Sequence, residues 1–164
     1  MINLPSIYAA GKIWHASKFR TLRDDYSFKI NSRWIDLPED PKDPFIANCK
    51  DQLWQLCLEN STKADIMVIY CGDLDEEHRG VIMEAGQAFA AGKPVYCINT
   101  ANSFSPCPIS DVAFTHHALW NWIRDDNRKI DPLEGFARAV SHYMGIEVAE
   151  QNVIHGPWGK VRLA

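Results

Sequence analysis

The sequence "ADIMVIYCG", residues 64–72, is the clearest strand signal in the chain. From Ile66 to Cys71 it is continuously apolar, with no alternation of polar and apolar residues. Such a run predicts a strand that is covered on both faces, because only then are both rows of its side chains buried. Strands of this kind are typical of parallel sheets, so the run predicts an α/β domain.

Strand and helix signals alternate on both sides of this run. Strands are predicted at 6–10, 29–37, 93–99 and 111–116, and helices at 16–25, 47–61 and 132–145. A further helix is predicted to begin about one turn before Glu84. Three prolines in residues 38–45 predict a loop there. The order predicts a single doubly wound domain, Rossmann-like or flavodoxin-like, with a parallel five-stranded sheet. We assign this domain to residues 1–145 and a C-terminal tail to 146–164.

Composition and charge exclude several classes of protein. The chain has 164 residues, of which 46% are hydrophobic and 23% charged, which is typical of one soluble domain. Its net charge is -4 and its basic residues are scattered, so no binding of a nucleic acid polymer is predicted. No apolar run approaches the roughly 18 residues of a membrane span, and no secretion signal opens the chain. The five cysteines lack metal-ligand spacing. We therefore expect a cytoplasmic protein that needs no metal or other cofactor.

Glu84 is the most informative polar residue. In this class of fold, ligands bind beyond the carboxyl ends of the strands, in the loops that open the following helices. Glu84 lies about one turn into such a helix, near its positive end, where a carboxylate tends to stay ionised. By position alone, a glutamate there is most often solvated. An idle charge would be costly here, however, because its neighbours are almost all apolar: Val81, Ile82, Met83, Ala85, Ala88 and Phe89.

Three blocks of sequence resemble the nucleoside 2-deoxyribosyltransferase family and its nucleotide N-glycosidase relatives. They are "IYAAGK" (7–12), "ADIMVIY" (64–70) and "EAGQAFAAGKPVY" (84–96), in that order. The resemblance implies that Glu84 is the nucleophile that attacks the sugar C1′ and forms a covalent glycosyl-enzyme. It also implies that Tyr8 hydrogen-bonds to this carboxylate and orients it. The expected reaction is cleavage or transfer of the N-glycosidic bond of a (deoxy)nucleoside or nucleoside 5′-monophosphate.

The sequence departs from the family pattern at its auxiliary aspartates, which are His78 and Cys57 here. The general acid is therefore open between His78, since the ordinary pKa of histidine suits that role near neutrality, and the loop carboxylates Glu76 and Glu77. The candidates for substrate binding are Gly11, Trp14, Asp36, Arg79 and Gly80.

Each side chain in this set has an alternative role. Trp14 either stacks on a base or packs in the core. Asp36 either holds a sugar hydroxyl or the base, or is a solvated loop residue. Arg79 either binds a phosphate or carboxylate, or is a surface charge.

Two other functions remain open. One is a catalytically silent nucleotide-binding module, which the missing aspartates favour. The other is an NAD-cleaving glycohydrolase, since the same carboxylate chemistry serves a nicotinamide leaving group. We also expect a homo-oligomer, because the resemblance implies pockets shared between subunits. The chain also has six tryptophans, including Trp158 in the tail, and interfaces favour aromatic anchors.

Overall fold

A parallel sheet flanked by helices forms the body of the protein. The computed structural model describes residues 3–40, 42–72, 75, 78–99, 120–123, 129–146 and 153–162. The sheet strands are β1 (Ser6–Ala10), β2 (Lys29–Ile30), β3 (Ile66–Tyr70), β4 (Val95–Ile98) and β5 (Trp120–Ile123). They lie in the order β2-β1-β3-β4-β5, and every neighbouring pair is parallel. The predicted α/β class with a parallel sheet is confirmed; four strands have four or five residues, and β2, at one edge, has two.

Five α-helices accompany the sheet in the described ranges. They are α1 (Ala16–Asp24), α2 (Pro44–Asn48), α3 (Lys50–Lys63), α4 (Arg79–Ala90) and α5 (Pro132–Met144). Part of the segment predicted as a loop is helical, because Pro44 starts α2, where a missing N–H costs nothing, and Asp43 caps it. As predicted, α5 ends at Gly145, whose φ of 66° is left-handed. None of these helices combines the length and apolar character needed to cross a bilayer.

The core lies around the central strands. All five residues of β3 are buried, so the prediction that this run is covered on both faces is confirmed. Aromatic side chains from different elements meet beside the sheet: the rings of Phe19 and Phe136 have centroids 5.7 Å apart, and those of Phe28 and Phe136 are 6.0 Å apart. Burying each such side chain contributes roughly 1.5–3 kcal/mol, which makes this cluster a main source of stability.

The segment 29–37, predicted as one strand, is mostly not a strand. Only Lys29–Ile30 pairs with β1, and residues Arg33–Asp36 form a 3-10 helix. The Ser32 hydroxyl accepts from the Ala9 N–H at 2.6 Å and donates to the Ala9 carbonyl at 2.9 Å. The Trp34 Nε1 also donates to that carbonyl, at 2.9 Å. Two side chains thus satisfy the groups of β1 that a longer β2 would have paired, which is why the strand prediction was wrong beyond residue 30.

The C-terminal segment predicted as an aperiodic tail contains a β-hairpin. Strand β6 (Val153–Gly156) pairs antiparallel with β7 (Gly159–Arg162). Trp158, in the turn, is buried and stacks on Phe28 with ring centroids 5.1 Å apart and planes 4° from parallel. This ring is therefore part of the chain's own core and is not an exposed anchor for a second subunit. The prediction of a homo-oligomer then depends on the other tryptophans and on the family resemblance.

The predicted strand 111–116 lies outside the described residues. The loop carboxylates Glu76 and Glu77 also lie outside them.

Candidate active site

A cavity of about 300 Å³ opens at the carboxyl ends of β1 and β3. These two strands are neighbours and run in the same direction, so the segments that follow them leave the sheet side by side. Gly11 permits this close exit, since a Cβ at this position would lie 3.0 Å from the Tyr70 carbonyl oxygen. The chemically distinctive residues of the lining are Trp14, Trp34, Trp54, Cys57, His78 and Glu84.

Glu84 lies in this lining on the inner face of α4. It is 7% exposed, and Val81, Ala85 and Ala88 beside it on the helix are buried as well. Burial raises the pKa of Glu84 to about 7, although hydrogen-bonding contributions from Tyr8 and Cys57 act in the opposite direction. The position of Glu84 near the start of the helix suggested a carboxylate that stays ionised. Burial outweighs this effect, so the carboxylate is not fully ionised. At neutral pH, the protonated and ionised forms are both well populated.

Tyr8 and Cys57 lie next to the Glu84 carboxylate. Tyr8 comes from β1 and is completely buried, while Cys57 comes from α3. Burial, and then the charge of Glu84, raise the pKa of the Tyr8 hydroxyl well above its usual value and that of the Cys57 thiol to about 12. The three groups are therefore close enough to influence one another. The Tyr8 hydroxyl nevertheless makes no hydrogen bond of regular length and angle. Contacts of this kind often tighten only when substrate binds.

Aromatic rings form two walls of the cavity. Trp14 is 48% exposed and Trp54 is 36% exposed, so both indoles are partly accessible, and the Lys12 ammonium lies 5.7 Å from the centroid of the Trp14 ring. Gly80 lies against the second ring, since a Cβ there would be 3.5 Å from Trp54. Half-exposed indoles beside a concave site are suited to stacking on a planar ligand. The structure therefore brings the candidates Gly11, Trp14 and Gly80 into one cavity.

His78 is buried at the start of α4 and lines the same cavity. Its Nε2 lies 3.3 Å from the Cys71 Sγ and 3.9 Å from the Asp75 Oδ2. One ring nitrogen thus faces the end of β3 and the loop that follows it.

Asp75 links the wall of the cavity to this loop. Its Oδ1 accepts from the Trp14 Nε1 at 2.9 Å, and its Oδ2 accepts from the Gly72 N–H at 2.7 Å and lies 2.7 Å from the His15 Nε2. Burial alone would raise the pKa of Asp75, but these hydrogen bonds outweigh it and hold the pKa below its usual value. The sequence did not predict this arrangement, because Trp14 and His15 precede Asp75 by 61 and 60 residues.

The other two predicted binding residues differ in their placement. Arg79, the first residue of α4, is exposed and lines the cavity. Asp36 is not brought into the cavity; its carboxylate pairs with Arg23 of α1 at 3.0 Å. The 3-10 helix that replaces the predicted strand places this carboxylate beside α1, so the structure gives no support to a role for Asp36 in holding substrate.

No family model, curated protein or solved structure matches this chain. Within the described residues, no group of three or more His, Cys, Asp and Glu side chains is arranged to hold a metal ion. The case for a function therefore depends on the geometry of the cavity and on the resemblance of the three sequence blocks.

Proposed function

We propose that this protein cleaves the N-glycosidic bond of a (deoxy)nucleoside or nucleoside 5′-monophosphate, with Glu84 as the nucleophile. The observation that carries the proposal is a buried carboxylate, beside Tyr8, in a cavity walled by indole rings. A nucleobase is planar and would stack on Trp14 or Trp54, which would direct its sugar toward Glu84. The strand order β2-β1-β3-β4-β5 also supports a doubly wound, flavodoxin-like domain, in which ligands bind at the point between β1 and β3 where the strand order reverses.

The proposed reaction has two displacements at C1′. In the first, the ionised Glu84 carboxylate attacks C1′ while the bond to the base breaks, and that bond's electron pair leaves with the base. A general acid protonates the base. In the second, water or another nucleobase attacks C1′ and gives its proton to the now deprotonated general acid, while the bond from C1′ to Glu84 breaks and the carboxylate departs. Burial removes water from the carboxylate, which strengthens its interaction with the positive charge that develops at C1′.

Tyr8 and His78 have supporting roles in this proposal. The Tyr8 hydroxyl donates to the carboxylate once substrate is bound and so holds it in line with C1′. His78 is our candidate for the general acid, because it lines the cavity and the Asp75 carboxylate lies 3.9 Å from its Nε2. Arg79 at the mouth is the candidate for binding a phosphate.

A catalytically silent nucleotide-binding module is the second candidate. It is favoured by the Tyr8 hydroxyl, which makes no regular hydrogen bond, and by Cys57 and His78 at the positions of the family's auxiliary aspartates. Such a module would use the same indole walls to bind its ligand without turnover.

The decisive experiment is incubation of the protein with nucleosides, deoxynucleoside monophosphates and NAD, followed by chromatography for released base. Glu84→Gln keeps the size of the side chain but removes its charge, so turnover should fall by about a thousandfold or more while binding persists. The matched control is Glu59→Gln, an exposed position on α3, which should leave the rate unchanged.

The outcomes separate the candidates. Base release by Glu84→Gln within about tenfold of the wild type would place the chemistry elsewhere. Binding without release by the wild type would favour the silent module, and release from NAD alone would favour the glycohydrolase. His78→Ala should lose most activity on the poorest leaving groups if His78 is the acid.

A further inference from the structure

Trp14 is held in place from behind the cavity wall. Its indole is 48% exposed, so packing covers only part of it. Its Nε1 donates a 2.9 Å hydrogen bond to the Oδ1 of Asp75, a residue that is itself only 6% exposed. This bond ties one edge of the ring to the interior, while Trp14 also lines the cavity.

The Asp75 carboxylate is in turn rigidly held. Its second oxygen, Oδ2, lies 2.7 Å from both the Gly72 nitrogen and the His15 Nε2. His15 is packed edge-on against Tyr70, with ring centroids 5.1 Å apart. A Cβ at Gly72 would lie 2.8 Å from the His15 ring, so glycine is needed for this packing. Hydrogen bonds to an ionised carboxylate are stronger than neutral ones, which makes Asp75 a firm anchor.

We propose that Asp75 is a positioning residue, which fixes the indole plane of Trp14 and thereby sets the affinity of the cavity for a nucleobase. A ring already fixed before binding loses little rotational freedom when the base stacks on it. Asp75 acts on the bound base through Trp14; because its carboxylate also lies 3.9 Å from the His78 Nε2, this role is measured by binding and not by turnover. The identity of the ligand rests on the proposed function, whereas the fixation of the ring does not.

A double-mutant cycle separates this role from a purely structural one. Deoxyadenosine binding is measured by calorimetry in Glu84→Gln protein, which does not turn the nucleoside over, with Asp75→Asn, Trp14→Phe and both together. Asp75→Asn should weaken binding by about tenfold when Trp14 is present. In the Trp14→Phe background it should weaken binding by less than about twofold, because phenylalanine has no N–H for Asp75 to hold. Equal losses in the two backgrounds would overturn the proposal.

The matched control is Asp65→Asn. Asp65 also accepts two hydrogen bonds, from the Ser6 nitrogen at 2.7 Å and the Ser6 hydroxyl at 2.8 Å, but it lies outside the cavity lining. This variant should leave the affinity for deoxyadenosine unchanged. If Asp75→Asn does not fold, the affinity of Glu84→Gln protein for deoxyadenosine is compared with and without Trp14→Phe. A loss of affinity below about twofold would overturn the proposal.

A second measurement needs no ligand. The fluorescence emission of Trp14 is the difference between the spectrum of each protein and the spectrum of the same protein carrying Trp14→Phe. With Asp75→Asn, this emission should shift to longer wavelength and become more accessible to acrylamide, because the ring is released into solvent. Unchanged emission and quenching would refute the positioning role. If the emission changes but no panel nucleoside binds the wild type, the proposed function fails and the positioning of Trp14 stands.

Discussion

Replacing Glu84 with glutamine should stabilise the folded protein at alkaline pH. Burial raises the pKa of Glu84 from 4.5 to about 7. Between these two values the folded chain keeps a proton that the unfolded chain has already released. The stability of the wild type therefore falls as the pH rises through this window. A pKa difference of about 2.5 corresponds to about 3 kcal/mol, which is the expected cost of burying the ionised carboxylate.

Urea denaturation of the wild type and Glu84→Gln tests this value. At about pH 5 both side chains are largely neutral in the folded state, and the two proteins should differ by under about 1 kcal/mol. At about pH 8.5 the variant should be the more stable by about 3 kcal/mol. The exposed control Glu59→Gln should show no such gain. A Glu84→Gln protein that gains nothing between the two pH values would refute the argument that Glu84 is buried at a cost. If Glu84→Gln is more stable at about pH 8.5 but no longer turns over substrate, the carboxylate needed for catalysis lowers the stability of the fold.

Three further predictions follow from the same structure. Tyr8→Phe should change the free energy of unfolding, measured by urea denaturation, by less than about 1 kcal/mol, because the hydroxyl makes no regular hydrogen bond. The rate of base release by the same variant should nevertheless fall by at least about tenfold. In His78→Ala protein the single-turnover rate of base release should rise with pH through about 7 as Glu84 ionises, because deprotonation of the general acid no longer opposes the rise, and a flat profile there would contradict the role of Glu84 as nucleophile. Gly135→Ala should destabilise the protein by about 2 kcal/mol, because its Cβ would lie 2.3 Å from the Ile98 Cδ1. Gly86→Ala, in open space on α4, should stabilise it by about 1 kcal/mol, and equal thermal shifts for the two variants would contradict the packing at Gly135.

Local signals in the sequence predicted much of the fold. The apolar run that contains β3 and the glycine that ends α5 were both recognised, because each depends on residues that are close in the chain. The end of β2 was not, because it depends on Ser32 and Trp34 bonding to Ala9 on another strand. Apolar and polar residues alternate in residues 29–37. A regular strand would give this alternation, and so does the observed segment, in which Ser32 and Trp34 bond to the neighbouring strand β1. The pattern therefore does not distinguish the two structures.

The candidate site was partly predictable for the same reason. The apolar neighbours of Glu84 along the helix indicated that an idle charge would be costly there. Val81, Ile82, Ala85 and Ala88 are indeed buried with it on α4, whereas Met83 is 55% exposed. Its raised pKa could not be predicted, because the burial comes from β1 and α3 as well as from its own helix. Asp75 was missed because its partners, Trp14 and His15, come from the segment after β1 and no sequence spacing connects them.

The side-chain hydrogen bonds to Ala9 also affect whether the edge of the sheet can pair with a strand of another molecule. A sheet that ends in a strand of two residues would normally leave backbone groups of the next strand open to a passing extended chain, and such edges promote aggregation. Here the N–H and the carbonyl of Ala9 are already bonded to Ser32 and Trp34. A second molecule that approached this edge would find no vacant ladder position at Ala9. The residues that shorten β2 thus also occupy the position at which another strand would pair with Ala9.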